Sequence, residues 1–207
     1  MNVIIFGATG TLGRHLVDQA LSQGNQVTAF ARHPEKLGLH NDNLHYQAGD
    51  VLDAQAVASA VDGHDAVLIA LGAGRKGGVR AGGTANVIDA MKRHGVKRLI
   101  CLSTLGAGDS RTLLNFFWKR IMFGLLLRAA YADHEMQEKL VRQSGLDWTL
   151  VRPSAFVDGA ATGRYQHGAL ATAAGLKLKI ARADVAGFML RQLTDKGYLH
   201  QAPALSN

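Results

Sequence analysis

The chain has a single cysteine, Cys101, and this scarcity excludes two classes of structure. One thiol can form neither an internal disulfide nor a zinc cluster based on cysteine. Cys101 lies in the apolar run LICL, so we interpret it as a buried strand residue rather than a nucleophile. The fold must instead be stabilised by an apolar core, for which 207 residues with 47% hydrophobic content are sufficient.

Long apolar runs are also missing from the sequence. No span approaches the ~20 uncharged residues that a transmembrane helix needs. No basic leader precedes the short apolar run VIIF near the N-terminus, so the pattern does not indicate a secretory signal. We therefore expect a cytoplasmic protein with no membrane partner.

The features of nucleic-acid-binding proteins are absent as well, although the formal net charge is +7. The basic residues are scattered along the chain, and neither an aromatic platform nor a DNA-reading motif accompanies them. We therefore expect no nucleic-acid partner. The positive charge favours attraction of an anionic cofactor or substrate instead.

Short apolar runs alternate with helical patterns along the whole chain. The runs are VIIF (3–6), QVTAFA (26–31), LHYQAG (44–49), DAVLIAL (65–71), KRLICLS (97–103) and DWTLVRP (147–153). Helices are predicted over 11–24, 53–63, 83–95, within 112–145 and near 184–193. Several of them end at a glycine suited to a left-handed cap, namely Gly24, Gly63, Gly95 and Gly145.

Apolar strands that alternate with helices predict an α/β fold with a doubly wound parallel sheet of the Rossmann type. No break in composition suggests a second domain, so residues 1–207 are expected to form a single domain. The less regular segment from Ala155 onwards predicts a small C-terminal cap on the substrate side of the sheet.

The stretch IIFGATGTLGRHL (4–16) sets Gly7, Gly10 and Gly13 between the first strand and the first helix. These glycines allow a sharp exit from the strand, close approach of the backbone to an anion and tight helix packing. Unpaired N–H groups at a helix N-terminus favour an anion at this place. The alternative is a glycine turn that binds nothing, but the strand-to-helix context favours a cradle for a diphosphate.

The end of the second strand indicates which dinucleotide is bound. Proteins that choose NAD usually have an acidic residue there, whereas this chain has Arg32, followed by Lys36. A guanidinium can bind a 2′-phosphate through two parallel charge-assisted bonds. Arg32 could instead be a solvated surface residue, but the pattern favours NADP(H) as the cofactor.

Two further segments are expected to follow the cofactor. Asp50 and Val51, after the third strand, are placed to meet an adenine edge, although Asp50 could equally serve as a helix cap. The end of the fourth strand permits close passage of the cofactor, at Ala70, Leu71, Gly72, Ala73 and Gly74.

The chain resembles the atypical short-chain dehydrogenase/reductase family that includes NmrA-like proteins, and within it the biliverdin reductase B (flavin reductase) group. The resemblance covers nearly the whole sequence. It is carried by FGATG, the arginine after strand two, GDVLD, the DAV strand ending LG, MK-x-HGV, DHEMQEKLVRQSGL, TGRY and FMLRQLT.

This resemblance implies a Rossmann fold, NADPH as hydride donor and reduction of a flavin, a bilin or a similar planar acceptor. It places the diphosphate on Thr9, Gly10, Thr11, Leu12 and Gly13, the 2′-phosphate on Arg32 and Lys36, and adenine near Asp50 and Val51. It also places Ser103 beside the nicotinamide, and Pro153, Ser154, Ala155 and Phe156 along the far side of that ring. Ser154 and Ala155 replace a proline and a histidine of the reductase.

The usual catalytic Y-x-x-x-K of short-chain dehydrogenases is absent, because Tyr131 is followed four positions later by Glu135. We assign the catalytic position to Ser103, which the resemblance places beside the nicotinamide, with Thr104 as the alternative donor and a plain loop-capping serine as the structural alternative. His134 is expected on a helix surface rather than as an acid. His167 lies nearer the expected mouth of the site. No metal ligand is predicted.

The apolar segment 112–131 leaves three interpretations open: a buried helix, a hydrophobic wall of the acceptor pocket with Phe117 and Trp118, or an oligomer contact. Lys119 and Arg120 interrupt it, which opposes membrane insertion. We expect a monomer or a weak homo-oligomer. An NADP-binding redox sensor without turnover remains the main functional alternative, and an isomerase or epimerase is a third.

Overall fold

The computed structural model describes residues 1–72, 74, 77–113, 121, 125–168 and 177–207. Its strands are β1 (Asn2–Phe6), β2 (Gln26–Ala31), β3 (Leu44–Ala48), β4 (Ala66–Ile69), β5 (Arg98–Leu102), β6 (Asp147–Pro153), β7 (Ala155–Val157), β8 (Gln166–Gly168), β9 (Lys179–Ala181) and β10 (Ala204–Ser206). Its α-helices are α1 (Thr11–Ser22), α2 (Ala54–Val61), α3 (Val79–His94), α4 (Arg128–Arg142) and α5 (Arg182–Arg191). Shorter 3₁₀ turns cover Pro34–Leu37 and Gly108–Leu113.

The main sheet has eight strands in the order β3-β2-β1-β4-β5-β6-β10-β8. Every pairing is parallel except the pairing of β8 with β10, which is antiparallel. The chain moves outward from β1 to β3, returns to β4 beside β1 and then proceeds in the other direction. The predicted doubly wound Rossmann sheet is thus confirmed, and its switch point lies between β1 and β4.

Apolar residues cover both faces of the sheet. Leu16 of α1 and Phe188 of α5 belong to the core cluster on one face, and Val57 of α2, Met91 of α3 and Val141 of α4 to the cluster on the other. A sheet that is buried on both faces needs strands that are apolar throughout, and all four residues of β4 are buried.

The sequence correctly predicted several helix ends and buried strand residues. The expected left-handed caps Gly24, Gly63, Gly95 and Gly145 all have φ between 72° and 75°. Cys101 is fully buried in β5, where burial and the charge of Glu138 raise the pKa of its thiol, as expected for a structural cysteine. The predicted helix near 184–193 is α5.

Other boundaries differ from the sequence-based expectation. The helix predicted over 83–95 begins at Val79, because the carboxylate of Asp133 accepts hydrogen bonds from the N–H groups of Arg80 and Ala81, each at 3.0 Å. The helix predicted within 112–145 is α4, which begins at Arg128.

The hydrophobic-wall interpretation of Phe117 and Trp118 falls on residues outside those that the structure describes, as do Ala73, Lys119 and Arg120. After β6, the chain forms a small parallel pair of β7 and β9 and adds β10 and β8 to the main sheet. The sequence pattern did not predict these short strands. In the described part of the chain, no helix is long and apolar enough to cross a bilayer.

Candidate functional site

A cavity of about 920 Å³ lies at the carboxyl ends of the central parallel strands. Its walls come from the loops after β1 to β6 and from the starts of α1 and α3, with contributions from α4, β7 and the residue before β9. This is the edge of a doubly wound sheet where ligands bind. Its volume is at the upper end of the range of roughly 300–1,000 Å³ for small-molecule and cofactor sites.

The glycine loop forms the floor of the cavity, where Thr9, Gly10, Thr11 and Leu12 line it. Gly7 has φ +84°, and a Cβ atom there would lie 2.5 Å from the Ala70 carbonyl oxygen. The loop from β1 therefore touches the end of β4 so closely that only glycine fits.

Gly13 does not line the cavity. A Cβ atom at this position would lie 2.1 Å from the carbonyl oxygen of Gly7, so Gly13 lets α1 pack against the loop. Gly13 was predicted to contact the diphosphate directly. Its position instead lets it support the residues that line the floor of the cavity.

The N-terminus of α1 fits an anion. Its cap residue Gly10 makes no side-chain cap bond, and the first turn contains no acidic residue. The N–H groups at this end thus have no side-chain acceptor and no negative charge beside them, while the helix dipole adds positive potential. The residues of this chain fit the diphosphate of a dinucleotide, which would lie on 9–12.

Arg32 lines the cavity at the end of β2 and is exposed. Among the residues that the structure describes, it has no ion-pair partner, so its guanidinium is available to an anion. Lys36 is exposed and does not line the cavity. Its carbonyl oxygen instead accepts a 2.6 Å hydrogen bond from Nη2 of Arg14, which holds the Pro34–Leu37 turn against α1. Of the two cations expected at the 2′-phosphate, Arg32 lies at the cavity wall and Lys36 does not.

The remaining expected cofactor contacts in the part of the chain that the structure describes lie on the cavity wall. These residues are Asp50, Val51, Ala70, Leu71, Gly72, Ser103, Pro153, Ser154, Ala155 and Phe156. One oxygen of Asp50 accepts a 2.9 Å hydrogen bond from the N–H of Leu52. The actual cap of α2 is Asp53, whose carboxylate accepts from the N–H groups of Gln55 and Ala56.

Ser103 follows β5 and is 3% exposed. Its hydroxyl donates a 2.6 Å hydrogen bond to Oε1 of Glu138, which is itself buried in α4. Arg152 of β6 binds the same carboxylate through two bonds, from Nε at 2.8 Å and from Nη2 at 2.6 Å. Because its one proton is directed at Glu138, the Ser103 hydroxyl presents lone pairs to the cavity and can accept a hydrogen bond there.

The buried Arg152 is balanced by a second carboxylate. Its Nη1 lies 2.6 Å from Oδ1 of Asp109, whose side chain is 80% exposed. Burial acts against ionisation of Asp109, but the hydrogen bond and charge of Arg152 outweigh it and lower the pKa of that carboxyl. Burial likewise opposes the charge of Arg152, yet Glu138 and Asp109 raise its pKa.

Tyr131 does not line the cavity, and its hydroxyl donates to the Gly106 carbonyl oxygen at 3.0 Å. Burial, together with the hydrogen bond and charge of Glu135, raises the pKa of Tyr131 to about 12. His167 is also away from the cavity, where its Nδ1 lies 2.7 Å from the Tyr198 hydroxyl. Neither residue is placed for chemistry in this site.

Two polar side chains of the cavity wall were not among the site residues expected from the sequence. Arg80 at the start of α3 lines the cavity, and so does His134 of α4, which we expected on a helix surface. Thr104, the alternative to Ser103, lines it as well. The signal that could have identified His134 is the one-turn spacing to Glu138, which turns both side chains towards the same side of α4.

Comparison with known proteins bears on the family and the fold. The UPF0659 protein YMR090W of Saccharomyces cerevisiae is 29% identical over 205 residues, which cover 93% of this chain and 87% of that protein. Four further curated relatives are longer, and the chain spans between 12% and 61% of their length.

Solved structures are similar over almost the whole chain. ChuY, an anaerobilin reductase from Escherichia coli O157:H7, matches with a TM-score of 0.78 at 27% identity, covering 99% of this chain and 96% of that one. A short-chain dehydrogenase/reductase from Veillonella parvula in complex with NADP matches with a TM-score of 0.82, covering 100% and 94%. At 15% identity, the second comparison shows the fold alone.

A family model described as NAD(P)H-binding matches residues 7–196, which include the glycine loop, the end of β2 and the wall formed by β5 and β6. The chain therefore belongs to the NAD(P)H-binding family and has its oxidoreductase fold, in agreement with the resemblance to atypical short-chain dehydrogenases/reductases.

Proposed function

We propose that this protein is an NADPH-dependent reductase that transfers hydride to a planar conjugated acceptor, either a bilin or a flavin. The observation that carries the proposal is the continuity of one cavity from Arg32 and the glycine loop to Ser103 and Pro153. This span provides room for both ends of a dinucleotide. The 27% identity to an anaerobilin reductase over 99% of the chain supports a bilin as acceptor.

The choice of NADPH over NADH rests on Arg32. A carboxylate at this position would repel a 2′-phosphate, whereas an unpaired guanidinium binds it through charge-assisted hydrogen bonds. Lys36 contributes at most long-range positive potential, since it does not line the cavity.

The cofactor supplies the hydride when it is bound, and the residues of this chain orient and shield it. Ser103 would accept a hydrogen bond from the amide of a bound nicotinamide, because its own proton is directed at Glu138. Leu102, Leu105 and Phe156 line the same part of the cavity and exclude water from it. The proton that the reduced acceptor needs comes from solvent, which requires no strong acid in the protein.

The test of this function is the oxidation of NADPH, followed by its absorbance, with biliverdin, FMN and dichlorophenolindophenol as acceptors. We expect turnover with at least one of the two natural acceptor classes. Arg93→Ala, an exposed change at the far end of α3, serves as the matched control and leaves the rates unchanged.

An NADP-binding redox sensor is the second candidate. Two observations favour it. The Ser103 hydroxyl already donates its proton to Glu138, and burial lowers the pKa of His134 to about 4. Both features leave the described wall poor in proton donors near β5. Tight NADPH binding without turnover in the same assay would support the sensor and contradict the reductase.

A further inference from the structure

Arg80 has an unusual environment for a charged side chain. It lines the cavity, yet its side chain is only 10% exposed. Its Nε and Nη1 atoms are buried and have no hydrogen-bond partner. Buried donors without acceptors are rare, because leaving one unpaired costs on the order of 1–3 kcal/mol.

The carboxylate nearest to Arg80 does not satisfy these donors. Oδ2 of Asp133 lies 3.7 Å from Nη1, which is too long for a hydrogen bond. The two oxygens of Asp133 instead accept hydrogen bonds from the backbone N–H groups of Arg80 and Ala81 at the start of α3. Asp133 therefore balances the charge of Arg80 without providing the acceptors that its guanidinium needs.

His134 stands beside this guanidinium, and one of its ring nitrogens is likewise without a partner. Its Nδ1 is buried without a hydrogen-bond partner, and the residue lines the cavity. Burial and the charge of Arg80 lower the pKa of His134 to about 4, against the opposing effects of Asp133 and Gln137. The imidazole is thus neutral at pH 7, so Arg80 supplies the positive charge of the pair.

The pair belongs to the Ser103 end of the cavity. His134 lies one helical turn before Glu138 on α4, and Glu138 accepts the hydrogen bond from Ser103. Arg32, the residue proposed for the 2′-phosphate, lies at the end of β2 on the other side of β1. A second anion-binding group at the Ser103 end is therefore separate from the one that selects the cofactor.

We propose that Arg80, assisted by His134, forms a subsite for an anionic group of the acceptor, either a carboxylate or a phosphate. This inference rests on the proposed reductase function and names its substrate class as acidic planar acceptors. An anion that enters the cavity supplies the acceptors that the guanidinium lacks, after a rotation about the terminal torsions of Arg80. Bilins carry propionate carboxylates and FMN carries a phosphate, whereas riboflavin carries neither.

The test compares acceptors that differ only in this anionic group. Two pairs of acceptors are used: biliverdin with its dimethyl ester, and FMN with riboflavin. Each acceptor is titrated into protein saturated with NADP⁺, and its binding is followed by absorbance. We expect the wild-type protein to bind the acidic member of at least one pair about 10- to 100-fold more tightly, as hydrogen bonds to a charged group allow. Preference within the biliverdin pair identifies a carboxylate, and preference within the flavin pair identifies a phosphate.

Arg80→Met is expected to abolish this preference by weakening only the acidic acceptor. Arg80→Lys keeps the positive charge but lacks the planar guanidinium, and it should retain part of the preference for the acidic acceptor. Arg93→Met, the same change at an exposed position of α3, should retain all of that preference. If the methionine variant does not fold, as judged by its circular dichroism, the comparison of the lysine variant with wild type decides.

Two results would overturn the subsite. One is equal wild-type binding of the acidic and neutral members in both pairs. The other is a loss of NADPH affinity in Arg80→Met comparable to the loss of acceptor affinity, which would assign Arg80 to the cofactor. If acidic acceptors bind in an Arg80-dependent manner but no acceptor is turned over, the subsite stands and the reductase proposal fails.

Discussion

The hydroxyl of Ser103 lies 2.6 Å from Oε1 of Glu138 and donates its proton to that carboxylate. Glu138 comes from α4 and Ser103 from the end of β5, so the bond connects the wall of the cavity to the layer of helices behind it. Arg152 closes the connection from β6 by binding both oxygens of Glu138. The proposed contact between Ser103 and the nicotinamide therefore depends on residues that do not themselves line the cavity.

Glu138→Gln should destabilise the fold strongly, because it leaves the buried guanidinium of Arg152 without its bidentate partner. Breaking a buried ion pair costs roughly 3–5 kcal/mol when the remaining charge is left unpaired. Asp109 still contacts Nη1 of Arg152 in this variant, so the free energy of unfolding, measured with urea, is expected to fall by somewhat less than that, by about 2–3 kcal/mol. The exposed Glu35, which pairs with His33, provides the control, and Glu35→Gln should change stability by less than about 1 kcal/mol. Equal stabilities of the two variants would contradict the account of this pair.

Ser103→Ala should lower kcat/KM by roughly tenfold, since it removes one hydrogen bond that orients the cofactor. Its effect on unfolding should be smaller than that of Glu138→Gln, because Arg152 still pairs with the carboxylate. Steady-state kinetics of both Ser103→Ala and Thr104→Ala provide the check. A larger loss in the threonine variant would transfer the proposed role from Ser103 to its neighbour.

His134 should make the stability depend on pH. Its pKa is lowered to about 4 in the folded state by burial and by Arg80, whereas an unperturbed histidine titrates near pH 6.5. Between these two values the unfolded chain binds more protons, so the contribution to stability is complete above about pH 6.5 and is lost as the pH falls towards 4.

Urea unfolding of wild type and His134→Gln at pH 7 and pH 4.5 measures this contribution. The wild type should lose more stability between the two pH values than the variant, by an amount on the order of 2–3 kcal/mol. His33→Gln, at an exposed position, controls for the loss of a histidine. Parallel losses in wild type and His134→Gln would show that His134 is not held neutral by its surroundings.

The parts of the fold that the sequence predicted are those set by local chemistry. Apolar runs of strand length indicate buried parallel strands, and a glycine after a helix indicates a left-handed cap. Arg32 was identifiable as a residue of the cavity wall because its position follows directly from the end of β2. These signals depend on neighbours in the chain, and they are therefore visible without the tertiary structure.

The parts that escaped prediction depend on contacts between distant segments. The start of α3 at Val79 results from capping by Asp133, 53 residues away from Arg80. The direction of the Ser103 proton follows from Glu138, 35 residues further along. Lys36 was expected near the cofactor from its spacing after Arg32 and from the family resemblance, whereas its turn, held by Arg14, leaves it away from the cavity wall.

In the proposed binding mode, Arg32 and the uncapped N-terminus of α1 together hold NADPH, and Arg32 contacts its 2′-phosphate. The most direct test of this binding mode is the dissociation constant of Arg32→Ala for NADPH and for NADH, measured by fluorescence titration. We predict about 10- to 100-fold weaker NADPH binding with little change for NADH, and only a slight effect of Lys36→Ala on either cofactor. Equal losses for both cofactors in Arg32→Ala, or no loss for either, would contradict this binding mode.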